Sequence, residues 1–231
     1  MKHNIPFLDL KPQYEELKTE FDLAYQRVMD SGWYILSDEV ENFEREFAEY
    51  IGVQHCIGVG NGLEALQLIL LACGVGEGDE VIVPANTYIA SWLAVSYVGA
   101  VPIPVEPIPS TYNIDPGRIR EKITSRTRAI MPVHLYGQPS EVEEIWKIAG
   151  QYGLHMVEDS AQTHGARYKS RMAGNLGTAA AFSFYPTKNL GAFGDAGALR
   201  AAPARSRSLC RGVKLLAPPQ KSSWSNVALR R

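Results

Sequence analysis

The sequence predicts an α/β fold with a mainly parallel sheet and helices on both faces. Two observations carry this. Between residues 55 and 158, short apolar strand-like runs alternate with segments of helical period. The chain of 231 residues is 45% hydrophobic and 21% charged, enough to build a sizeable core.

Residues 12–31 open with Pro12 and place Tyr14, Leu17, Phe21, Ala24 and Val28 at steps of three and four. That spacing predicts an amphipathic helix stopped near Gly32. An aromatic link follows, Trp33-Tyr34-Ile35-Leu36, which either packs inside or lines a ligand site, packing being the commoner fate. Ser37 or Asp38 can cap a second helix, in which Val40, Phe43 and Phe47 share a face before Gly52.

The run His55–Gly60 reads as a short buried strand, turning at Asn61-Gly62 into an apolar helix that ends at Gly74. A strand, a glycine turn and a helix aim backbone N–H groups at an anion, or the glycines serve only the turn. Glu80–Val83 reads as a strand and Asn86–Val98 as a helix. Val101–Val105, with Pro102 and Pro104, reads as a strand or an extended edge. Asp115-Pro116 is a cap followed by proline at the first helical position, leading a helix through Ile123. Ala129–His134 is a strand, Ser140–Tyr152 a helix and Leu154–Glu158 a strand. In such sheets ligands bind beyond the carboxyl ends of the strands. Asn61-Gly62, Tyr88 and Asp159 all fall at such ends.

Composition narrows the function classes. The net charge of −2 hides an asymmetry: residues 200–231 hold eight basic groups and no acidic one, so residues 1–199 carry 15 basic and 25 acidic groups, a net of −10. Such an acidic body argues against nucleic acid as partner. Cys56, Cys73 and Cys210 show neither a disulfide framework nor metal-ligand spacing, which fits a reducing cytoplasm. No run is long and apolar enough to suggest a membrane span.

The segment Phe182–Gly197, FSFYPTKNLGAFGDAG, sets one lysine, Lys188, among aromatic and glycine residues. In a pocket wall, desolvation would lower the pKa of such an amine and let it attack a carbonyl. Alternatively, its stem packs on the aromatics while its head reaches water. Asp159 ends an apolar strand, where it either caps a helix or pairs with a cationic or donor group. Glu158 beside it points to the other side of the strand. Gln162 and His164 can hydrogen-bond a ligand, though a lone histidine is more often structural. Together these parts meet the needs of pyridoxal 5′-phosphate: a phosphate anchor, a stacking ring, a counter-charge for the pyridine nitrogen and a Schiff-base lysine.

The chain resembles the DegT/DnrJ/StrS aminotransferases. The ordered markers are VGNGLEAL (59–66), GDEVIVPANTYIAS (78–91), MPVHLYGQ (131–138), EDSAQTHGA (158–166) and FSFYPTKNLGAFGDAGA (182–198). The resemblance runs from Phe7 to about Ala198. It implies the large domain of a fold-type I transferase, with a mainly parallel or mixed seven-stranded sheet and an N-terminal helical arm over residues 1–52. It further implies that Lys188 bonds the cofactor and shuttles the proton, and that Asp159 meets the pyridine nitrogen. Tyr88 would stack on the ring, and Gln162 would contact its 3-hydroxyl or the face beside it. The Asn61 and Gly62 backbone and the Ser183 hydroxyl would hold the phosphate. Lysine at 188, where related dehydrases carry histidine, implies amination. The implied substrate is a nucleotide-linked keto-sugar, closest to dTDP-3-oxo-6-deoxyhexose, with 4-keto sugars as the alternative. Glutamate is the implied donor and a homodimer the implied assembly.

Residues 200–231 depart from the family pattern, and the expectation is a shifted reading frame that replaces the native continuation and the small C-terminal domain. A genuine basic extension is the alternative. Two readings of function follow: a sugar aminotransferase, or a truncated cofactor-binding or dimerising fragment without turnover.

Overall fold

The structure is a computed structural model that describes residues 5–201. Pro12 lies in the first turn of α1 (Lys11–Ser31), where a missing N–H costs little, and Gly32 closes the helix at φ 64°. Tyr14 and Phe21 of its apolar stripe meet the ring of Phe193 at 5.8 and 4.6 Å. α2 (Asp38–Ile51) follows extended Ser37 and carries Asp38, Glu39 and Glu41 in its first turn, where negative charge suits the helix dipole. The link between these helices departs from the expected burial. Trp33, Tyr34, Ile35 and Leu36 are all more than half exposed. The reason lies in α1, which buries no residue of its own and so offers the link no core to enter.

The alternating part follows as β1 (Cys56–Val59), α3 (Gly62–Ala72), β2 (Glu80–Pro84), α4 (Ile89–Tyr97), β3 (Val101–Val105), α5 (Pro116–Ile119), β4 (Thr127–Ile130), α6 (Val142–Tyr152) and β5 (His155–Asp159). A two-stranded ribbon, β6 (Arg167–Tyr168) with β7 (Arg171–Met172), leads to β8 (Ala179–Ser183) and β9 (Gly197–Ala201). Seven strands form one mixed sheet in the order β1-β9-β8-β5-β4-β2-β3. β8, β5, β4, β2 and β3 run parallel, and β9 lies antiparallel between β1 and β8. β3 is the edge strand, as its prolines require.

Three of the boundary shifts from the sequence reading have a local reason. α4 starts at Ile89 rather than Asn86, because Tyr88 is extended at φ −62° and ψ 146°. Arg120–Lys122 continue α5 as a 3₁₀ turn. β4 stops at Ile130, two residues before Pro132, which has no N–H to give the ladder. The chain nevertheless stays beside β5, since Asp159 N–H donates to the Pro132 carbonyl and His134 N–H to that of Asp159.

Odd and even residues of the central strands feed different cores. Val81, Val83, Ala129, Met131 and Val157 pack with α3 and α4, while Ile82, Ile130 and Met156 pack with α5 and α6. This is the two-sided cover expected of a parallel sheet. Among the described residues no helix is long and apolar enough to cross a membrane. The expectation for residues 200–231 falls outside the described residues except at Arg200 and Ala201. Both belong to β9, and Arg200 is 1% exposed.

Arg200 reaches under the sheet to Glu158, which is wholly buried. Glu158 Oε1 accepts from Arg200 Nη2 at 2.6 Å, from Leu176 N–H at 2.7 Å and from Gly177 N–H. Glu158 Oε2 accepts from Gly174 N–H at 2.7 Å and from His134 Nε2 at 3.0 Å. Ser140 N–H donates to His134 Nδ1, so the ring proton sits on Nε2 and points at the carboxylate. Arg200 also donates to the Gly174 and Gly177 carbonyls. Gly174 is required here: its φ is +86°, and any Cβ would collide with the Phe182 ring.

Burial pushes the Glu158 carboxyl up. The His134 hydrogen bond, the Arg200 charge and the Gly177 N–H outweigh it and hold the group at about 2. A folded-state value below the ordinary 4.5 means that the stabilisation is whole above about pH 4.5 and is lost as pH falls toward 2. Arg200→Met leaves this carboxylate unpaired and is expected to cost about 3–5 kcal/mol at neutral pH. Urea unfolding should show that gap narrowing at pH 3, and a gap of undiminished size there would refute the assignment.

Candidate functional site

The carboxyl ends of β2, β4, β5 and β8, with the N-termini of α3 and α4, enclose a cavity of about 500 Å³. Seven of the residues singled out from the sequence line it: Asn61 and Gly62 before α3, Tyr88 before α4, Asp159 and Gln162 after β5, Ser183 at the end of β8, and Lys188 beyond. They come from five stretches of chain, and only the sheet brings them together.

At one end lies the turn into α3. Asn61 caps the helix, its Oδ1 accepting from Glu64 N–H at 2.9 Å. Ala65 N–H takes the Asn61 carbonyl. The N–H groups of Gly62 and Leu63 have no intrahelical acceptor, and they sit at the positive end of the helix dipole. Gly62 also packs against β8, where a Cβ would lie 2.9 Å from that of Ser183. This end suits a phosphate: free N–H donors, a hydroxyl at Ser183 and no side chain in the way.

At the floor lies Asp159, 6% exposed. Its Oδ2 accepts from Ser91 Oγ at 2.7 Å, and its Oδ1 accepts from Ala161 N–H at 3.2 Å. Ser91 in turn contacts Thr87 Oγ1 at 2.9 Å. Because Ser91 gives its one proton to the carboxylate, Thr87 is the donor to Ser91. No helix follows Asp159, so the capping role is not the one it plays. Ser91 and Thr87 went unnoticed in the sequence. Their spacing carried a signal, since they are four apart at the start of an apolar helix and three and one from Tyr88.

Lys188 is half-buried, its backbone N–H bonded to the Tyr185 carbonyl. Tyr88 stands at the rim with its ring 73% exposed. Gln162 Oε1 accepts from Tyr136 N–H at 2.7 Å. A backbone N–H can only donate, so the carboxamide is oriented with its NH₂ away from Tyr136. His164 turns away from the cavity into a cage of Phe47, Phe182 and Phe184 and contacts Asn189 Oδ1 through Nδ1 at 2.8 Å. Burial pushes its imidazole down, the Asn189 contact opposes this, and the Lys188 charge adds to the depression. The structural alternative weighed for His164 is therefore the one realised.

The model of the DegT/DnrJ/EryC1/StrS aminotransferase family matches residues 15–216, past the point near Leu199 where the sequence pattern was expected to stop. The chain is 56% identical over 195 residues to the dTDP-3-amino-3,4,6-trideoxy-alpha-D-glucose transaminase of Streptomyces venezuelae, covering 84% of this chain and 52% of that protein. It is 60% identical over 180 residues to the dTDP-3-amino-3,6-dideoxy-alpha-D-galactopyranose transaminase of Aneurinibacillus thermoaerophilus, covering 78% of this chain and 50% of that one. Among solved structures it matches S. venezuelae DesV in complex with a ketimine intermediate, with a TM-score of 0.89 and 52% identity over 95% of this chain and 59% of DesV. The chain thus spans about half the length of the curated relatives it matches. With its sheet, its cavity and these matches in agreement, the chain belongs to the DegT/DnrJ/EryC1/StrS aminotransferase family, whose cofactor is pyridoxal 5′-phosphate.

Proposed function

We propose that this chain carries the cofactor cradle of an aminotransferase acting on a nucleotide-linked keto-sugar. The sugar is a dTDP-3-oxo-6-deoxyhexose, and glutamate supplies the amine. The observation that carries this is the convergence of Lys188, Asp159 and the Gly62–Ser183 junction on one cavity. The relatives named for 3-amino dTDP-sugars support the choice of ring carbon.

The residues fit the cofactor at each end. The N–H groups at the start of α3 and the Ser183 hydroxyl hold a phosphate. Asp159, fixed by Ser91 and Ala161, would meet the pyridine nitrogen with a carboxyl group that cannot swing away. Tyr88 would stack on the ring, and Gln162, whose NH₂ points away from Tyr136, would donate to the ring's 3-hydroxyl oxygen or meet the face beside it. When bound, the cofactor serves as an electron sink that stabilises the carbanion left by a departing proton. Lys188 Nζ would bond the cofactor's aldehyde carbon, with water as the leaving group, and once displaced would be the amine placed to take and return the proton. We further propose that the chain works in the cytoplasm as a homodimer, with the exposed Trp33–Leu36 link covered by the second copy. Sedimentation of the purified chain tests that assembly.

Titration with pyridoxal 5′-phosphate followed by borohydride reduction should leave the cofactor on Lys188, read by mass spectrometry, and Lys188→Ala should abolish the label. Label spread over surface lysines would overturn the role. Gly62→Ala is expected to weaken cofactor binding by about tenfold, since its Cβ must displace Ser183 and crowd the phosphate end. Amination assayed against dTDP-3-oxo and dTDP-4-oxo sugars separates the ring carbons. Specific labelling without turnover on either would favour the alternative, a cofactor-binding fragment that lacks the remainder of its relatives' length.

A further inference from the structure

Two bulky residues at the carboxyl edge of the sheet have left-handed backbones, Tyr112 at φ 60° and Tyr136 at φ 56°. A tyrosine in that region is strained, and strain persists only where neighbours hold it. The two lie side by side, with ring centroids 6.2 Å apart. Between them runs one buried side chain, Asn113, 2% exposed. Its Oδ1 accepts from Leu135 N–H at 3.0 Å and its Nδ2 donates to the Gln138 carbonyl at 3.0 Å. Asn113 therefore staples both ends of the turn that contains Tyr136. The N–H of Tyr136, at the apex of that turn, goes to Gln162. Asn113 lies outside the cavity lining, whereas Gln162 is part of it.

We propose that Asn113 is a positioning residue for the cofactor site, acting through the strained turn 135–138 to orient the Gln162 carboxamide. The chain of contacts is short and one-directional. Asn113 holds the turn ends, the turn holds Tyr136 in its left-handed conformation, and that conformation aims one N–H at Gln162 Oε1. Gln162 then keeps its NH₂ free, since Nε2 donates to no described residue. Without the staple, Tyr136 relaxes toward an ordinary backbone and its N–H leaves Gln162. The carboxamide is then free to rotate, and half of its orientations present an oxygen to the cofactor.

This inference rests on the reading that Gln162 donates to the cofactor, and the test separates the two. Pyridoxal 5′-phosphate is titrated into the full chain and into Gln162→Ala, Asn113→Ala and the double variant, with visible absorbance as readout. Gln162→Ala should weaken binding by about three- to tenfold, the worth of one hydrogen bond. Asn113→Ala should weaken it by a similar factor. The double variant should be no weaker than Gln162→Ala alone, since both act through one group. An unaffected Gln162→Ala would overturn the role of Gln162. A weakened Gln162→Ala with a parent-like Asn113→Ala, or fully multiplicative effects in the double variant, would overturn the role of Asn113. Should Asn113→Ala fail to fold, the coupling is read from the other end: Gln162→Ala must speed amide exchange in residues 134–138, and unchanged exchange there counts against the inference.

Discussion

The structure depends on one buried charge. Glu158 sits at the centre of the sheet with no water to solvate it, and an isolated carboxylate there would be too costly to keep ionised. It survives because five donors reach it from three separate stretches: His134 after β4, the turn 174–177 before β8, and Arg200 on β9. Arg200 has the converse problem. Burial pulls its guanidinium below the ordinary value, and Glu158 opposes that. Neither partner is tolerable alone, so β5, β8 and β9 are bound into one arrangement. The antiparallel pairing of β9 with β1 then carries that constraint to the turn at Asn61, whose backbone packs so closely on Gly197 that no side chain fits there.

The neighbouring residue faces the other way. Successive side chains of a strand alternate, so Glu158 and Asp159 address opposite sides of β5. One carboxylate is spent on holding strands together, and the other is offered to a ligand. Asp159 gets a lighter set of donors, Ser91 and Ala161, and it lines the cavity. Two adjacent acids thus take different roles from burial and partners alone.

The elements from α1 to β5 were legible because their signals are local, whereas β8 and β9 were implied only by the seven strands of the family fold. Strand and helix periods, the proline edge of β3 and the capped turn at Asn61 can each be read within a dozen residues. The seven candidate residues that line the cavity were legible because the family markers and the strand-end rule pick them out. What stayed hidden depends on distance along the chain. Glu158 and Arg200 are 42 residues apart, and Ser91 and Asp159 are 68 apart. No period in the sequence reports such a pair. The placing of Arg200 outside the organised part followed from that blindness, since an arginine in a basic stretch reads as surface until its carboxylate is found. The exposure of Trp33–Leu36 was missed for a related reason. Hydrophobicity predicts that a side chain prefers burial, but burial also needs a surface within reach, and α1 provides none.

The two networks lie on different parts of the cradle. The Glu158 cluster holds the strands beneath, and the Asn113 staple holds the turn at the rim. Glu158, Arg200 and Asn113, the side chains that anchor them, line no part of the cavity. The shape of the cavity is therefore set by the sheet and its loops. A site organised in this way can keep one chemistry while its substrate contacts vary. The two curated relatives, each at least 56% identical to this chain, bear the names of different 3-amino sugars, as that separation allows. Tyr88, about three-quarters exposed, stands at the rim of the cavity, and Tyr136, equally exposed, lies outside its lining. The residues beneath are already committed to one another, which leaves the exposed rim at Tyr88 as the part of the cavity free to vary.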